Sequence, residues 1–305
     1  MATVDATNRV AQRAAARPQA GGPPLVHRLR RSLPRVATVA IMALTLLILF
    51  GPVILLAVFS FNDSPIISLP WAGFTTHWYS VAWSDAEARE AVLHSVTVAV
   101  FVTVFSVVLG TMAAWGLTRL SFRGKGAIGG LHGAVLVVPW LLVGVSGLMF
   151  FSRLGIPLSL ETIGVMQLVV TFPLVVAIVS AGLIRFNRSL EEAAVDLGAS
   201  QFQMLRYVVL PQLAPALAAA TIFAFSWSFN NFEVSFFTGG FEQTFPVWVF
   251  SVLRHSQNLP MVNAISTVIA TVQVILVMGA WRLMRFLSHG AKDEELADIM
   301  VGGMR

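Results

Sequence analysis

Apolar residues run along this chain in six long blocks, separated by polar, glycine-rich or arginine-rich connections. The blocks lie near Thr38–Phe61, Leu93–Leu117, Ala127–Phe151, Ile163–Phe186, Gln212–Thr238 and Met261–Phe286. Each reaches the about 20 helical residues needed to cross a hydrocarbon core roughly 30 Å thick. A segment facing lipid must satisfy its own backbone hydrogen bonds, so the blocks predict six transmembrane helices and an all-α membrane protein. The first block is preceded by 37 residues and is too long for the apolar part of a secretory signal. It is expected to remain as an anchor and first span.

Composition sharpens this picture. The 305 residues are 56% hydrophobic and only 11% charged, whereas a soluble domain carries about a quarter charged residues. The solvent for most of the surface is therefore lipid. With no cysteine there are no disulfides, thiolate metal sites or iron–sulfur clusters, and the six histidines form no HExxH-like spacing, so no metal site is expected. Charge is distributed unevenly. Arg9, Arg13, Arg17, Arg28, Arg30, Arg31 and Arg35 precede the first block; Arg119, Arg123 and Lys125 follow the second. Arg185, Arg188 and Arg206 follow the fourth, and Arg282, Arg285, Lys292 and Arg305 close the chain. Only Arg89, Arg153 and Arg254 fall on the other side, so the positive-inside rule predicts both termini in the cytoplasm.

The expected organisation is a basic cytoplasmic tail and lead-in over 1–37, a six-helix domain over 38–286 containing a cytoplasmic loop at 187–211, and a cytoplasmic tail over 287–305. The tail up to Gly22 is rich in Ala, Arg, Pro and Gly with no hydrophobic period, which predicts disorder. Its arginines serve topology or touch anionic lipid. The outer loop from Asn62 to Ala91 carries Trp71, Trp78, Tyr79 and Trp83, which suits a helix at the membrane interface. Pro52, Pro139 and Pro173 lie inside blocks and predict kinks, either for packing or in a moving, path-lining helix. Gly126 with Gly130, and Gly129 with Gly133, have GxxxG spacing that would admit a close helix neighbour.

One connection is unlike the others. SLEEAAVDLGASQFQMLRYVVLP, residues 189–211, is helix-prone and polar between two apolar blocks. Ser189 with Glu192 reads as a capping box, and Glu191 and Glu192 in the first turn complement the helix dipole. Ala193, Ala194 and Leu197 continue the helix, and Gly198 permits the left-handed residue that ends it. A second piece from Ser200 to Val209 places Phe202, Leu205 and Val209 at core spacing, and Pro211 stands near the first turn of the fifth span. Small side chains allow a close approach to another surface; the alternative is an interfacial loop that only joins two spans.

The residues Glu192-Ala193-Ala194, Gly198, Val208 and Leu210-Pro211, at their spacing, resemble the EAA signature of ABC-importer permeases, with valine at 208 where the family has isoleucine. The resemblance implies a type I (MetI-like) permease fold in a bacterial cytoplasmic membrane. It also implies that this segment is a coupling helix docking on a cytoplasmic ABC ATPase dimer. Glu191, Glu192, Ala193, Ala194, Asp196, Gly198, Ala199, Arg206, Leu210 and Pro211 are then the coupling residues, with Glu192 and Gly198 setting the contact. ATP and Mg would be held by that ATPase and not by this chain, which has no GxxxxGK[ST] loop, GxSxG elbow or metal triad. A second homologous permease and an extracytoplasmic solute-binding protein are implied as partners, within membrane lipid and without nucleic acid. SFNDSPIISLPWAGFTTHWY, VSFFTGG and FPVWVFSVLR further resemble the second permease of spermidine/putrescine-type importers.

Ser226, Trp227, Asn230, Asn231 and Glu233 form a polar patch in the fifth block. Ser226, Asn230 and Glu233, four and three apart, are expected on one helix face. A carboxylate inside a span usually faces a cavity or partner, so this stripe is a candidate substrate path. The alternative is a hydrated Glu233 at the outer interface, with asparagines that only join helices. Polyamine permeases tend to carry an Asp-Asp pair where Asn230-Asn231 stands, so a singly charged amine, an amino-acid derivative or another small polar solute is also open. An ion-driven secondary transporter with Glu233 as proton site, or a membrane scaffold, are the rival classes.

Overall fold

The computed structural model describes residues 25–65, 70–255 and 259–302, with side chains described for residues 37–65, 70–255 and 259–282. The disorder expected up to Gly22 lies outside the described residues. Among them the structure is helical, with one isolated antiparallel bridge between Asn62 and Phe74. The chain divides into two units after Leu56.

The first unit ends within the last turn of helix α1 (Leu25–Phe59), whose apolar stretch Ala37–Phe59 is long enough to cross a membrane. Its large side chains, Ile41, Leu47 and Ile48 among them, are exposed, as suits a helix solvated by hydrocarbon.

The second unit contains α2 (His77–Ser84), α3 (Ala86–Arg119), α4 (Lys125–Val137), α5 (Trp140–Leu154) and α6 (Leu160–Arg185). Then follow α7 (Ser189–Asp196), α8 (Gln201–Met204), a π-helical turn (Leu205–Val209), α9 (Leu210–Phe229), α10 (Glu233–Thr238), α11 (Phe245–Arg254) and α12 (Leu259–Gly302). The core is the mutual packing of α3, α6 and α9. Ala114, Val175, Val176, Val179, Leu183, Met204, Val209, Leu213 and Ala220 meet there. A second cluster joins α2, α3, α11 and α12 to the end of α9 through Ala88, Ala99, Phe229, Phe245, Trp248 and Met261.

Several expected spans change shape. α3 begins at Ala86 rather than Leu93, because Asp85 caps it by accepting from the Ala88 N–H at 2.8 Å. The loop before it is pinned: Trp78 Nε1 donates to the Asn62 carbonyl at 3.0 Å, and Tyr79 pairs with Ser60 at 2.7 Å. The third block is two helices bent by 101° at Val138–Pro139 and not one kinked rod. Proline removes a donor and clashes with the preceding turn, and here the chain uses it as a corner. The described residues thus hold five single helices able to cross a membrane, or six spans with the bent pair counted as one.

Close helix packing also falls elsewhere than the GxxxG spacing suggests. A Cβ added at Gly126, Gly129, Gly130 or Gly133 would meet nothing within 4 Å. At Gly110 it would lie 2.7 Å from Val175, and at Gly182 2.7 Å from the Ala216 Cβ, so these two residues bring α3 onto α6 and α6 onto α9.

Candidate functional site

The segment between α6 and α9 is a compact helical hairpin closed by its own caps. The Asn187 side chain accepts from the Ser189 N–H at 3.1 Å, and Arg188, not Ser189, occupies the N-cap. The expected Ser189–Glu192 capping box is therefore not formed. The C-terminal end is a Schellman turn: Gly198 N–H donates to Val195 at 2.9 Å and Ala199 N–H to Ala194 at 3.0 Å, with Gly198 at φ +83°. A capping box does occur one helix later. Ser200 Oγ accepts from the Gln203 N–H at 3.3 Å while Gln203 Oε1 accepts from the Ser200 N–H at 2.8 Å. The second piece then runs through the π-turn directly into α9, with Leu210 and Pro211 in the first turn of that helix.

The two adjacent glutamates diverge. Glu192 is exposed and meets Arg188 only across a surface contact of 3.5 Å. Glu191 is buried and accepts from Arg119, at the end of α3, at 2.6 Å from Nη2 and 2.8 Å from Nε. Arg119 was absent from the sequence-derived site, since no local pattern links it to a residue 72 positions on. The outer surface of the hairpin carries Glu192, Ala193, Asp196, Gly198 and Arg206, all exposed, while Ala194 packs against the core and Ala199 is half-buried. Leu197 is 89% exposed, Phe202 72% and Tyr207 70%, so this connection displays an apolar surface beside its charges. Phe202 was expected in the core, but its helical turn faces outward and Met204 and Val209 fill that place.

The polar patch of the fifth block is not a helix face. α9 stops at Phe229, and a new helix starts at Glu233. The expected common face of Ser226, Asn230 and Glu233 is corrected accordingly, because the helical register is lost across the break. Asn231 is 1% exposed, and its Oδ1 accepts from the Val234 N–H at 3.1 Å at the start of α10. Gln167 of α6 fills the gap: its Nε2 donates to Ser235 Oγ at 2.9 Å and its Oε1 accepts from Ser228 Oγ. Ser235 in turn donates to the Asn231 carbonyl at 2.7 Å, and Thr162 donates to the Thr238 carbonyl at 2.7 Å. Gln167, Ser228 and Ser235, a buried amide–hydroxyl relay, were missed because their partners lie more than 60 residues apart.

The neighbouring residues separate to different surroundings. Asn230 is exposed, donates to the Ser226 carbonyl at 2.8 Å and borders an apolar cavity of about 320 Å³ with Phe232, Phe250 and Leu253. Trp227 stacks edge-on to Trp140 at 4.5 Å, across from the corner in the third span. Ser226 and Glu233 are half-buried. The backbone at Glu233 approaches so closely that a Cβ on Gly144 would lie 2.9 Å from its carbonyl oxygen. Among the described residues no group of three or more His, Cys, Asp or Glu could hold a metal ion.

Residues 106–287 match the family described as the binding-protein-dependent transport system inner membrane component. The chain belongs to that family. It is also 34% identical over 243 residues, 79% of this chain and 91% of the relative, to the spermidine/putrescine transport system permease protein PotC of Escherichia coli strain K12. The putrescine transport system permease protein PotI of the same strain is 34% identical over 254 residues, covering 81% of this chain and 90% of that one. In fold the chain resembles a bacterial ABC transporter involved in import of the acidic polysaccharide alginate, with a TM-score of 0.64 at 17% identity over 86% of this chain and 99% of that chain. The chain is therefore a multi-pass membrane permease subunit of an ABC importer, helical over its described residues.

Proposed function

We propose that this permease imports a small amine or related polar solute across a bacterial inner membrane, with both termini cytoplasmic and the hairpin at 189–211 docked on a separate ATPase dimer. The observation that carries the reading is the hairpin itself: a rigidly capped connection that exposes Glu192, Leu197, Gly198 and Phe202 outside the helical core. A rigid body with an exposed apolar surface suits a partner protein better than water. ATP and Mg belong to that partner, a second permease completes the path, and a solute-binding protein delivers substrate at the opposite face. The 34% identity to two polyamine permeases supports an amine. So does the other end of α3, where Glu87, Glu90 and Glu242 line a cavity of about 320 Å³. At about 1.5 Å per residue the 34-residue α3 separates that cavity from Arg119 by roughly 50 Å. The exposed, uncharged Asn230 in place of an acidic residue favours fewer charges on the solute than spermidine has.

The test is ATP hydrolysis by the co-purified complex in lipid, with its binding protein, over a panel of polyamines, amino acids and quaternary amines. Stimulation by one class, abolished in Glu192→Lys, is expected. Absence of any co-purifying ATPase would overturn the proposal.

A further inference from the structure

Arg119 touches three elements at once. It sits in the last turn of α3, donates through Nη2 to the Leu183 carbonyl of α6 at 3.1 Å, and binds Glu191 of α7 with two nitrogens on one carboxylate oxygen. Its guanidinium also lies 5.7 Å from the Trp115 ring and 5.8 Å from the Phe186 ring. The pair is largely removed from solvent, with side chains 12% and 10% exposed. What surrounds it is equally informative. A cavity of about 320 Å³, lined by Trp115, Leu120, Glu192, Val195 and Met204 among others, opens between the end of α3 and the hairpin. The ion pair therefore bridges a gap that apolar packing does not fill.

α7 is eight residues long, and Ala194 is its member in the core cluster of α3, α6 and α9. An apolar contact resists compression but slides and separates under tension. Charge-assisted hydrogen bonds of 2.6–2.8 Å hold in both directions and fix orientation. We propose that Arg119–Glu191 is the strut that transmits displacement of the hairpin to α3 and α6. Glu191 is thus a positioning residue aimed inward, and Glu192 is the partner-facing one. This rests on the reading of the hairpin as the ATPase-docking segment.

The experiment uses the whole complex of permeases, ATPase and binding protein in proteoliposomes, measuring solute taken up per ATP hydrolysed. Arg119→Gln is expected to keep the ATPase bound and to lower that ratio at least tenfold; Arg119→Lys, which retains one charged donor, restores part of it. Because a lone buried carboxylate destabilises folding, the double variant Arg119→Met with Glu191→Leu is the control that folds. It is expected to assemble and still to show a ratio lowered at least tenfold. The chain has no cysteine, so spin labels at the exposed Met112→Cys of α3 and Leu190→Cys of α7 report the α3–hairpin distance. That distance should stay constant through the nucleotide cycle in the otherwise unaltered chain and vary in Arg119→Gln. A double apolar variant that transports with an undiminished ratio, or Arg119→Gln that releases the ATPase, would overturn the strut while leaving the docking reading intact. An unaltered chain that recruits no ATPase would overturn both.

Discussion

The two polar interruptions of the apolar framework are built in opposite ways. The hairpin after α6 is closed by neighbours in sequence: Asn187 on Ser189, Gly198 and Ala199 on Val195 and Ala194, Ser200 with Gln203. The break after α9 is closed mainly by residues far along the chain, through Gln167 on Ser228 and Ser235 and Thr162 on Thr238. The first arrangement leaves the outer side chains exposed. The second uses polar groups on one another, at a depth where each unpaired hydroxyl or amide costs about 1–3 kcal/mol. An exposed hairpin is held by local capping, and a discontinuity inside the bundle by long-range pairing.

That contrast can be broken from either side, and the largest effect should come at Gly198. Its φ of +83° is closed to proline, whose ring holds φ near −65°. Gly198→Pro is expected to abolish uptake by more than a hundredfold while membrane insertion, followed by protease protection, is unaltered. Glu192→Lys reverses an exposed charge, so folding stability should move by no more than about 0.5 kcal/mol. Uptake should nevertheless fall at least tenfold, and equal uptake would make that side chain a bystander.

Inside the bundle the effects should appear as stability. Gly182→Ala drives a methyl to 2.7 Å from Ala216 and is expected to cost about 1–3 kcal/mol, read as a lower midpoint of unfolding in detergent. Gln167→Leu strands the Ser228 hydroxyl and removes the donor to Ser235, which keeps its bond to the Asn231 carbonyl, and should cost about 1–2 kcal/mol, since a hydroxyl in a membrane bundle partly finds other partners. ATPase binding should be untouched in that variant. The smallest change should be Gly129→Ala, with open space around it: at most about 1 kcal/mol, and in the stabilising direction for a helix interior. A loss there as large as that at Gly182 would show that α4 packs closely after all.

How much of this was legible in the residues follows the same division. Glu191 and Glu192 read alike in sequence, both acidic in the first turn of a helix. Only the position of α3 sends Glu191 inward to Arg119 and leaves Glu192 outside. Gly198 was legible because a left-handed helix end is a backbone property of one residue. Ser189 and Ser200 both offer a hydroxyl and a partner three residues on, yet only Ser200 forms the box. The chain capped the first helix from Asn187 instead.

The sequence by itself determined the membrane class, the number and approximate centres of the apolar blocks, and the polar helical hairpin with its left-handed glycine end. These depend on length, hydropathy and backbone sterics, all local quantities. Tertiary structure alone decided the 101° corner at Pro139, the end of α9 at Phe229, the Gln167 relay and the Arg119–Glu191 pair. Each of these is a choice between alternatives of similar local energy. In a bundle without water, the choice goes to the arrangement whose distant polar groups find one another.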